Sequence, residues 1–188
     1  VHRGSLEDLD SLRRGAARAD GVVHTAFSHD FSRFAQNGQD ELRAIGALSD
    51  ELAGSGKPLV VTSGLAFLGG GKLATEDEIV AAGAHAVPRD PETPTMNAAV
   101  NGVRSSLVRL SPSVHGDGDN GFIRMLVGIA REKGASAYIG EGLNTWPAVH
   151  RFDAAALFRL ALESGVAGAR YHDAAEHQRC RGDSGVAR

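Results

Sequence analysis

The sequence predicts an α/β fold built around a parallel sheet, and three observations carry that reading. Segment 57–71, KPLVVTSGLAFLGGG, is a short apolar run bounded by Pro and Gly that ends in Thr62-Ser63-Gly64. Such a run suits a central strand buried on both faces. Two more strand-like runs flank it, 21–27 (GVVHTAF) and 103–116 (VRSSLVRLSPSVHG). Between the first two runs, Leu42, Ile45, Leu48 and Leu52 fall at helical spacing within 39–53, and strands that alternate with helical patterns indicate βαβ units.

Each element follows from local chemistry. Ser5 followed by Asp8 has the spacing of a capping box, with Leu6, Leu9 and Leu12 continuing as one helical face. Ala19-Asp20-Gly21 turns the chain into a strand over 22–26, and 27–37 reads as a polar loop. Gly54-Ser55-Gly56 stops the helix over 39–53, and a strand follows at 59–62. The stretch 64–95 is long and irregular, with a glycine run at 69–71 and an acidic patch at 76–78; loops of that length inside a compact domain are usually functional. A short helix is expected over 95–101 and a strand over 104–110. A helix over 119–133 would turn Phe122, Met125, Leu126 and Ile129 inward. A strand at 135–139, an Asp153-initiated helix over 152–163 and a strand at 169–171 complete the pattern. From 177 the periodicity is lost, so 177–188 reads as a disordered tail after a domain spanning 1–176.

Composition bounds the function. The chain has 188 residues, enough for one domain with a real core. Its formal net charge of −3 argues against a nucleic-acid footprint, and its few aromatic residues argue against base-stacking platforms. Cys180 is the only cysteine, which excludes an internal disulfide and fits a reducing compartment, hence the cytoplasm. No apolar run approaches the roughly 20 residues of a membrane helix. Val1-His2-Arg3-Gly4 leads straight into a cap and a helix, so no signal peptide is expected.

Five pieces resemble the extended and atypical branches of the short-chain dehydrogenase/reductase superfamily, the nucleotide-sugar epimerase/dehydratase type. They are GSLED (4–8), VVHTAF (22–27), VVTSGLAFLG (60–69), VRLSPSVHGDG (108–118) and WPAVHRFDAAALFRLAL (146–162). The resemblance runs from Val1 to about Glu176. It implies a doubly wound, Rossmann-like parallel sheet with a small C-terminal substrate lobe within about 112–176. The family opens with a strand, a glycine-rich turn and a helix, and no such unit stands ahead of GSLED here. The sheet is therefore expected to miss its first strands, leaving an exposed apolar edge at 22–26 that invites pairing with a second copy.

The resemblance also assigns site residues. Ser63 is the candidate catalytic residue, holding the substrate oxygen that gains or loses hydride. Leu6 falls where the family contacts adenine; Thr25, Ala26 and Phe27 match the loop packing against the cofactor ribose; Pro112, Ser113 and Val114 match the segment beside the nicotinamide. With Ser63 these form the expected NAD or NADP site. Gly64, Leu65, His115 and Trp146 would face a small-molecule substrate. The family's Tyr-x-x-x-Lys pair is absent: the corresponding stretch, 95–101, is TMNAAVN, and neither Tyr138 nor Tyr171 has Lys four residues later.

Bland alternatives stand beside these. Ser63 is not a hydrolase nucleophile, because Val61 and Leu65 occupy the glycine positions of a nucleophile elbow. Asp8 also serves as a helix N-terminal acid, Leu6 and Trp146 as core residues, and His150 as a structural bridge. His24, His29, His115 and His150 with Asp117 and Asp119 lack the paired spacing of a metal site, so none is expected. The implied function is an NAD(P)-binding oxidoreductase or epimerase/dehydratase-like protein acting on a small carbonyl, hydroxyl or sugar-like substrate. A non-catalytic nucleotide-binding or regulatory protein, or an inactive fragment of such an enzyme, remains the alternative.

Overall fold

The computed structural model describes residues 1–68, 73–79, 89–119, 121–138 and 140–179. Its order is α1 (Leu9–Ala17), β1 (Val22–His24), α2 (Phe34–Leu52), β2 (Pro58–Gly64), α3 (Glu92–Val100), β3 (Arg104–Leu110), β4 (Ser113–His115), α4 (Phe122–Lys133), β5 (Thr145–His150), α5 (Arg151–Ser164), β6 (Arg170–Asp173) and β7 (Glu176–Arg179). The main sheet runs β1-β2-β3-β6 and is parallel throughout. A second sheet, β4-β5-β7, pairs β4 with β5 in parallel and β5 with β7 antiparallel. No helix among the described residues is long and apolar enough to cross a membrane.

Strand alternation builds the two cores. Leu59, Val61 and Leu107 point to one face, where they meet Ala16, Ile45, Leu48, Leu52 and Ala98 from α1, α2 and α3. Val60 and Val108 point to the other, against Leu157, Phe158, Ala161 and Leu162 of α5. Successive strand residues face opposite sides, so a continuous apolar run is what a sheet covered on both faces requires. The doubly wound reading of the sequence is borne out.

Local chemistry sets the helix ends. Asp8, not Ser5, caps α1: its Oδ1 accepts the Ser11 N–H at 2.9 Å, while Ser5 Oγ accepts the Asp8 N–H at 3.3 Å. Lys57 Nζ donates to the carbonyls of Ala17 and Ala19 at the other end of α1, where a cation complements the helix dipole. Helix α2 begins five residues earlier than its periodicity predicts, inside the expected polar loop. Asn37 Nδ2 secures that start by donating to the carbonyls of Ser28 and Asp30. Asp90 Oδ1 accepts the N–H groups of Glu92 and Thr93 at the start of α3. Gly134, at φ 66°, ends α4 in the left-handed conformation that a side chain would disfavour.

Four expectations need correction. His177, Gln178 and Arg179, expected in a disordered tail, instead pair with Pro147, Trp146 and Thr145 in β7; residues 180–188 lie outside the described residues. Residues 135–138 are not in a strand, and Ile139 is outside the described residues. Gly64 to Thr95 is less irregular than expected, since a 3₁₀ turn spans Leu65–Phe67 and α3 starts at Glu92; the glycine run at 69–71 lies outside the described residues. The apolar stripe of α4 does not turn inward: Phe122, Met125, Leu126 and Ile129 are 38–47% exposed. Periodicity reports that a helix has an apolar face and is silent on what covers it.

Leu107 is fully buried at the centre of the larger core. Leu107→Ala should cost about 2–5 kcal/mol of unfolding free energy, read as a lowered urea midpoint at unchanged slope. A loss below about 1 kcal/mol would mean that the site is not packed as described.

Candidate functional site

A cleft of about 320 Å³ opens at the carboxyl ends of β1, β2 and β3. Thr25, Phe27 and His29 form one wall, Thr62, Ser63, Gly64 and Ala66 the floor, and Leu110, Ser111 and Pro112 the opposite wall, with Glu41 and Arg89 behind. Parallel α/β sheets place ligands here because the strand ends diverge into loops while the backbone below stays rigid.

Of the residues singled out from sequence, Thr25, Phe27, Ser63, Gly64 and Pro112 line this cleft together. Ala26 is exposed on the same loop. Leu6 is half-buried ahead of α1, and Leu65 is half-buried in the 3₁₀ turn after β2. Ser113, Val114 and His115 form β4 of the second sheet, and Trp146 lies in β5 against the Phe122 ring at 5.5 Å. Ala26 and these last six residues are outside the cleft's lining. His115 instead packs its ring edge-on to His150 at 5.6 Å.

Two buried arginine–carboxylate pairs underlie the cleft, and the sequence reading missed both. In the first, Arg109 Nε donates to Glu92 Oε1 at 2.8 Å and Arg109 Nη2 to Glu92 Oε2 at 2.7 Å. Arg109 is fully buried and Glu92 nearly so. Arg109 Nη2 also donates to the Glu78 carbonyl at 2.7 Å. Ser63 Oγ donates to Glu92 Oε1 at 2.9 Å. Burial pushes the Glu92 carboxyl up, but the hydrogen bonds and charge of Arg109, the Ser63 hydroxyl and the charge of Arg170 outweigh it and bring the group below the usual range. In the second pair, Arg89 Nε and Nη2 donate to Glu41 Oε2 and Oε1 at 2.7 and 2.6 Å. The Arg89 guanidinium lies 4.4 Å from the Phe27 ring centroid, and Nη2 also reaches the Thr62 carbonyl at 3.4 Å. Burial pushes the Glu41 carboxyl up, opposed by Arg89.

Signals for these residues exist in the sequence. Arg109 interrupts the apolar strand LVRL, and a cation there demands a partner. Glu41 sits four residues before Ile45 and seven before Leu48, on the stripe of α2 that faces the core. Glu92 and Arg89 carry no comparable signal, because they lie in or beside the stretch that sequence leaves irregular.

The geometry supports binding and orienting a small molecule more than proton transfer. Ser63 at the cleft floor is 2% exposed with its hydroxyl committed to Glu92, and the nearby carboxylates are each held in a two-point arginine clasp. Removing one partner of such a pair leaves a buried charge unpaired, which costs about 3–5 kcal/mol, whereas replacing both with apolar side chains is often near neutral. Glu92→Ala should therefore destabilise the chain by about that amount, and Glu92→Leu/Arg109→Met by far less; equal losses in the two variants would contradict the pairing.

Two titrating groups flank the site with opposite sign. His24 is buried, and burial first, then the Arg89 charge, pull its pKa down to about 4. The unfolded chain, near 6.5, takes up a proton that the fold refuses, so stability is lost as pH falls from 6.5 toward 4. Asp173 is buried at the end of β6, and burial first, then the Asp153 charge, push its pKa up to about 6. Its contribution is full below 3.8 and lost as pH rises through 6. The two slopes oppose each other between pH 4 and 6. Asp173→Asn should make stability rise more steeply with pH in that window and His24→Gln should make it rise less, read from urea midpoints across the range; profiles parallel to the parent's would contradict both assignments.

No family model matches the chain. It is similar to an uncharacterized protein of Schizosaccharomyces pombe, 50% identical over 180 residues that cover 92% of this chain and 59% of the relative. It is also similar to an uncharacterized protein of Saccharomyces cerevisiae, 40% identical over 186 residues that cover 99% of this chain and 60% of the relative. The chain thus spans about three fifths of the length of these relatives. Among solved structures, it superposes on a dTDP-glucose 4,6-dehydratase of Bacillus anthracis in complex with NAD, with TM-score 0.71, 17% identity, and 94% of this chain and 59% of that one covered. A UDP-glucose 4-epimerase of Thermotoga maritima with UDP-glucose matches at TM-score 0.69 and 15% identity, covering 94% and 63%. The superpositions show that the chain has the Rossmann-like fold that these two nucleotide-sugar enzymes share.

Proposed function

We propose that this chain contributes the nicotinamide- and substrate-facing part of an NAD(P)-binding protein of the epimerase/dehydratase kind, acting on a small carbonyl, hydroxyl or sugar-like substrate. The observation that carries the reading is the cleft at the carboxyl ends of β1–β3, floored by Ser63 and walled by Thr25, Phe27 and Pro112. Its volume is at the lower end for ligand sites and suits the nicotinamide-ribose end of the cofactor rather than the whole dinucleotide. Thr25 and Phe27 would hold the ribose, Pro112 would support the ring, and Ser63 would hold the substrate oxygen. The nicotinamide, when bound, supplies the hydride acceptor or donor.

The neighbours' bound NAD and sugar nucleotides support the reading by likeness of fold. The single cysteine supports a reducing, cytoplasmic setting. The exposed Val23 on edge strand β1 supports self-association through that edge.

A specific observation favours a second reading, binding without turnover. The Tyr-x-x-x-Lys pair is absent from the sequence, and the Ser63 hydroxyl is already donated to Glu92, so neither that pair nor Ser63 is free to move a proton in the cleft.

Calorimetric titration of the chain with NADH and NADPH, alongside its mass in solution, tests the proposal. One of the two should bind saturably, and Thr25→Trp, which fills the cleft from an exposed position, should weaken binding at least tenfold. Turnover across carbonyl and hydroxyl substrates that disappears in Ser63→Ala supports the enzyme; binding with no turnover supports the second reading. A folded chain that takes up neither nucleotide would contradict both.

A further inference from the structure

The two arginine clasps differ in how many of their donors they use. A guanidinium carries N–H donors on three nitrogens and has no acceptor. The fully buried Arg109 spends all three inside the protein: Nε and Nη2 on Glu92, Nη2 also on the Glu78 carbonyl, and Nη1 on His172 Nε2 at 3.2 Å. Arg89 holds Glu41 in the same two-point manner through Nε and Nη2, and Nη2 adds the longer 3.4 Å contact to the Thr62 carbonyl. Its Nη1 has no hydrogen-bond partner among the described residues. The buried polar atoms left without a partner all belong to other residues, so Nη1 is reached by solvent, and the Arg89 side chain is 12% exposed. Arg89 lines the cleft together with Glu41, Thr62 and Phe27, the three groups that hold its guanidinium. The exposed part of Arg89 therefore faces the cleft. Three of the four hydroxyls lining that cleft have given their hydrogens away, Thr62 to the His24 carbonyl, Ser63 to Glu92 and Ser111 to the Asp173 carbonyl. Arg89 Nη1 is left as a charged donor with nothing to donate to.

We propose that Arg89 is a ligand-binding residue of the cleft, that its Nη1 takes an anionic oxygen, and that the ligand carries a carboxylate. An ionised carboxylate only accepts hydrogen bonds, and those it takes from a guanidinium are charge-assisted and stronger than bonds to a neutral oxygen. Glu41 occupies the Nε–Nη2 edge. A second carboxylate approaches Nη1 from beyond that edge, so the guanidinium lies between the two negative charges. The Phe27 ring at 4.4 Å covers a face of the guanidinium, and Glu41 fixes its plane. The donor is thus held in place before a ligand arrives, which lowers the ordering cost of binding. An alcohol at the same position offers Nη1 a neutral oxygen and gains less. This inference rests on the reading of the cleft as a small-molecule site and adds the charge of its ligand.

The test uses two probes of similar size and opposite character, benzoate and benzyl alcohol. Each is titrated at neutral pH and millimolar concentrations into isotope-labelled chain while the Thr25, Gly64 and Ala66 amide resonances are followed. Benzoate should bind about tenfold more tightly, the value of hydrogen bonding to a charged group, and the Arg89 Nε–H signal should move with it. Arg89→Met/Glu41→Leu removes the pair together, which spares the fold an unpaired buried charge, and should bind the two probes alike; a preference for benzoate that survives there overturns the assignment. Glu41→Gln keeps the guanidinium and removes the opposing charge, so it should bind benzoate a few-fold more tightly than the parent and benzyl alcohol no differently. Benzoate affinity that fails to rise in Glu41→Gln overturns the assignment whether or not the double variant folds. A parent chain that binds benzyl alcohol as tightly as benzoate also overturns it, and leaves the cleft standing as a ligand site. No response of the three resonances to either probe overturns both.

Discussion

The buried pair between Arg109 and Glu92 is the constraint on which the functional end of this molecule depends. Arg109 lies on β3 and Glu92 at the start of α3, so their two-point contact ties the central strand to the helix that follows the irregular stretch. Leaving either charge alone in the interior would be prohibitive, so the chain between β2 and α3 must return Glu92 to this position. That return brings Glu92 beneath Ser63 and orients the Ser63 hydroxyl. Arg109 also reaches the Glu78 carbonyl and the His172 ring, drawing β6 and the stretch before α3 into the same network. One ion pair thus links the packing of the sheet to the chemistry of the cleft floor.

The Arg89–Glu41 pair performs a parallel task on the other wall. It joins α2 to the residues just ahead of α3, and its guanidinium supports Phe27 and the Thr62 carbonyl. Polar groups at this depth are tolerated because each guanidinium donates to a carboxylate in a planar, two-point geometry. A purely apolar interior would pack the same layers, but it would leave the orientation of Ser63 unspecified. The cleft floor is therefore set in place before any ligand arrives, which reduces the ordering cost of binding.

Much of the fold was legible from residue order. Strand β3 falls where the run from Arg104 to Leu110 places it, and the alternation of Leu59, Val60 and Val61 reports a sheet covered on both faces. The end of β2 marks the cleft, since a small hydroxyl residue closes an apolar strand there. What escaped was of two kinds. Strand β5 carries Pro147, which argues against a strand in a sequence-only reading yet is accommodated because the pairing with β4 begins only at Ala148, leaving Pro147 paired on the β7 side alone. Arg109 and Glu41 interrupt apolar patterns, but their partners Glu92 and Arg89 carry no local signal, because pairing between residues 17 and 48 apart is a tertiary property that no local pattern reports. For α4 the sequence shows an apolar stripe correctly and misleads about its neighbours.

The central claim is that the strand ends around Ser63 form a ligand cleft whose occupant lies against Thr25, Phe27 and Pro112. A crystal structure of the chain grown with NADH tests it most directly. The account predicts density for the nicotinamide-ribose end over Ser63 and beside Pro112, with the Ser63–Glu92 and Arg109–Glu92 contacts unchanged. Nucleotide density elsewhere on the molecule, with this cleft filled only by solvent, would contradict it.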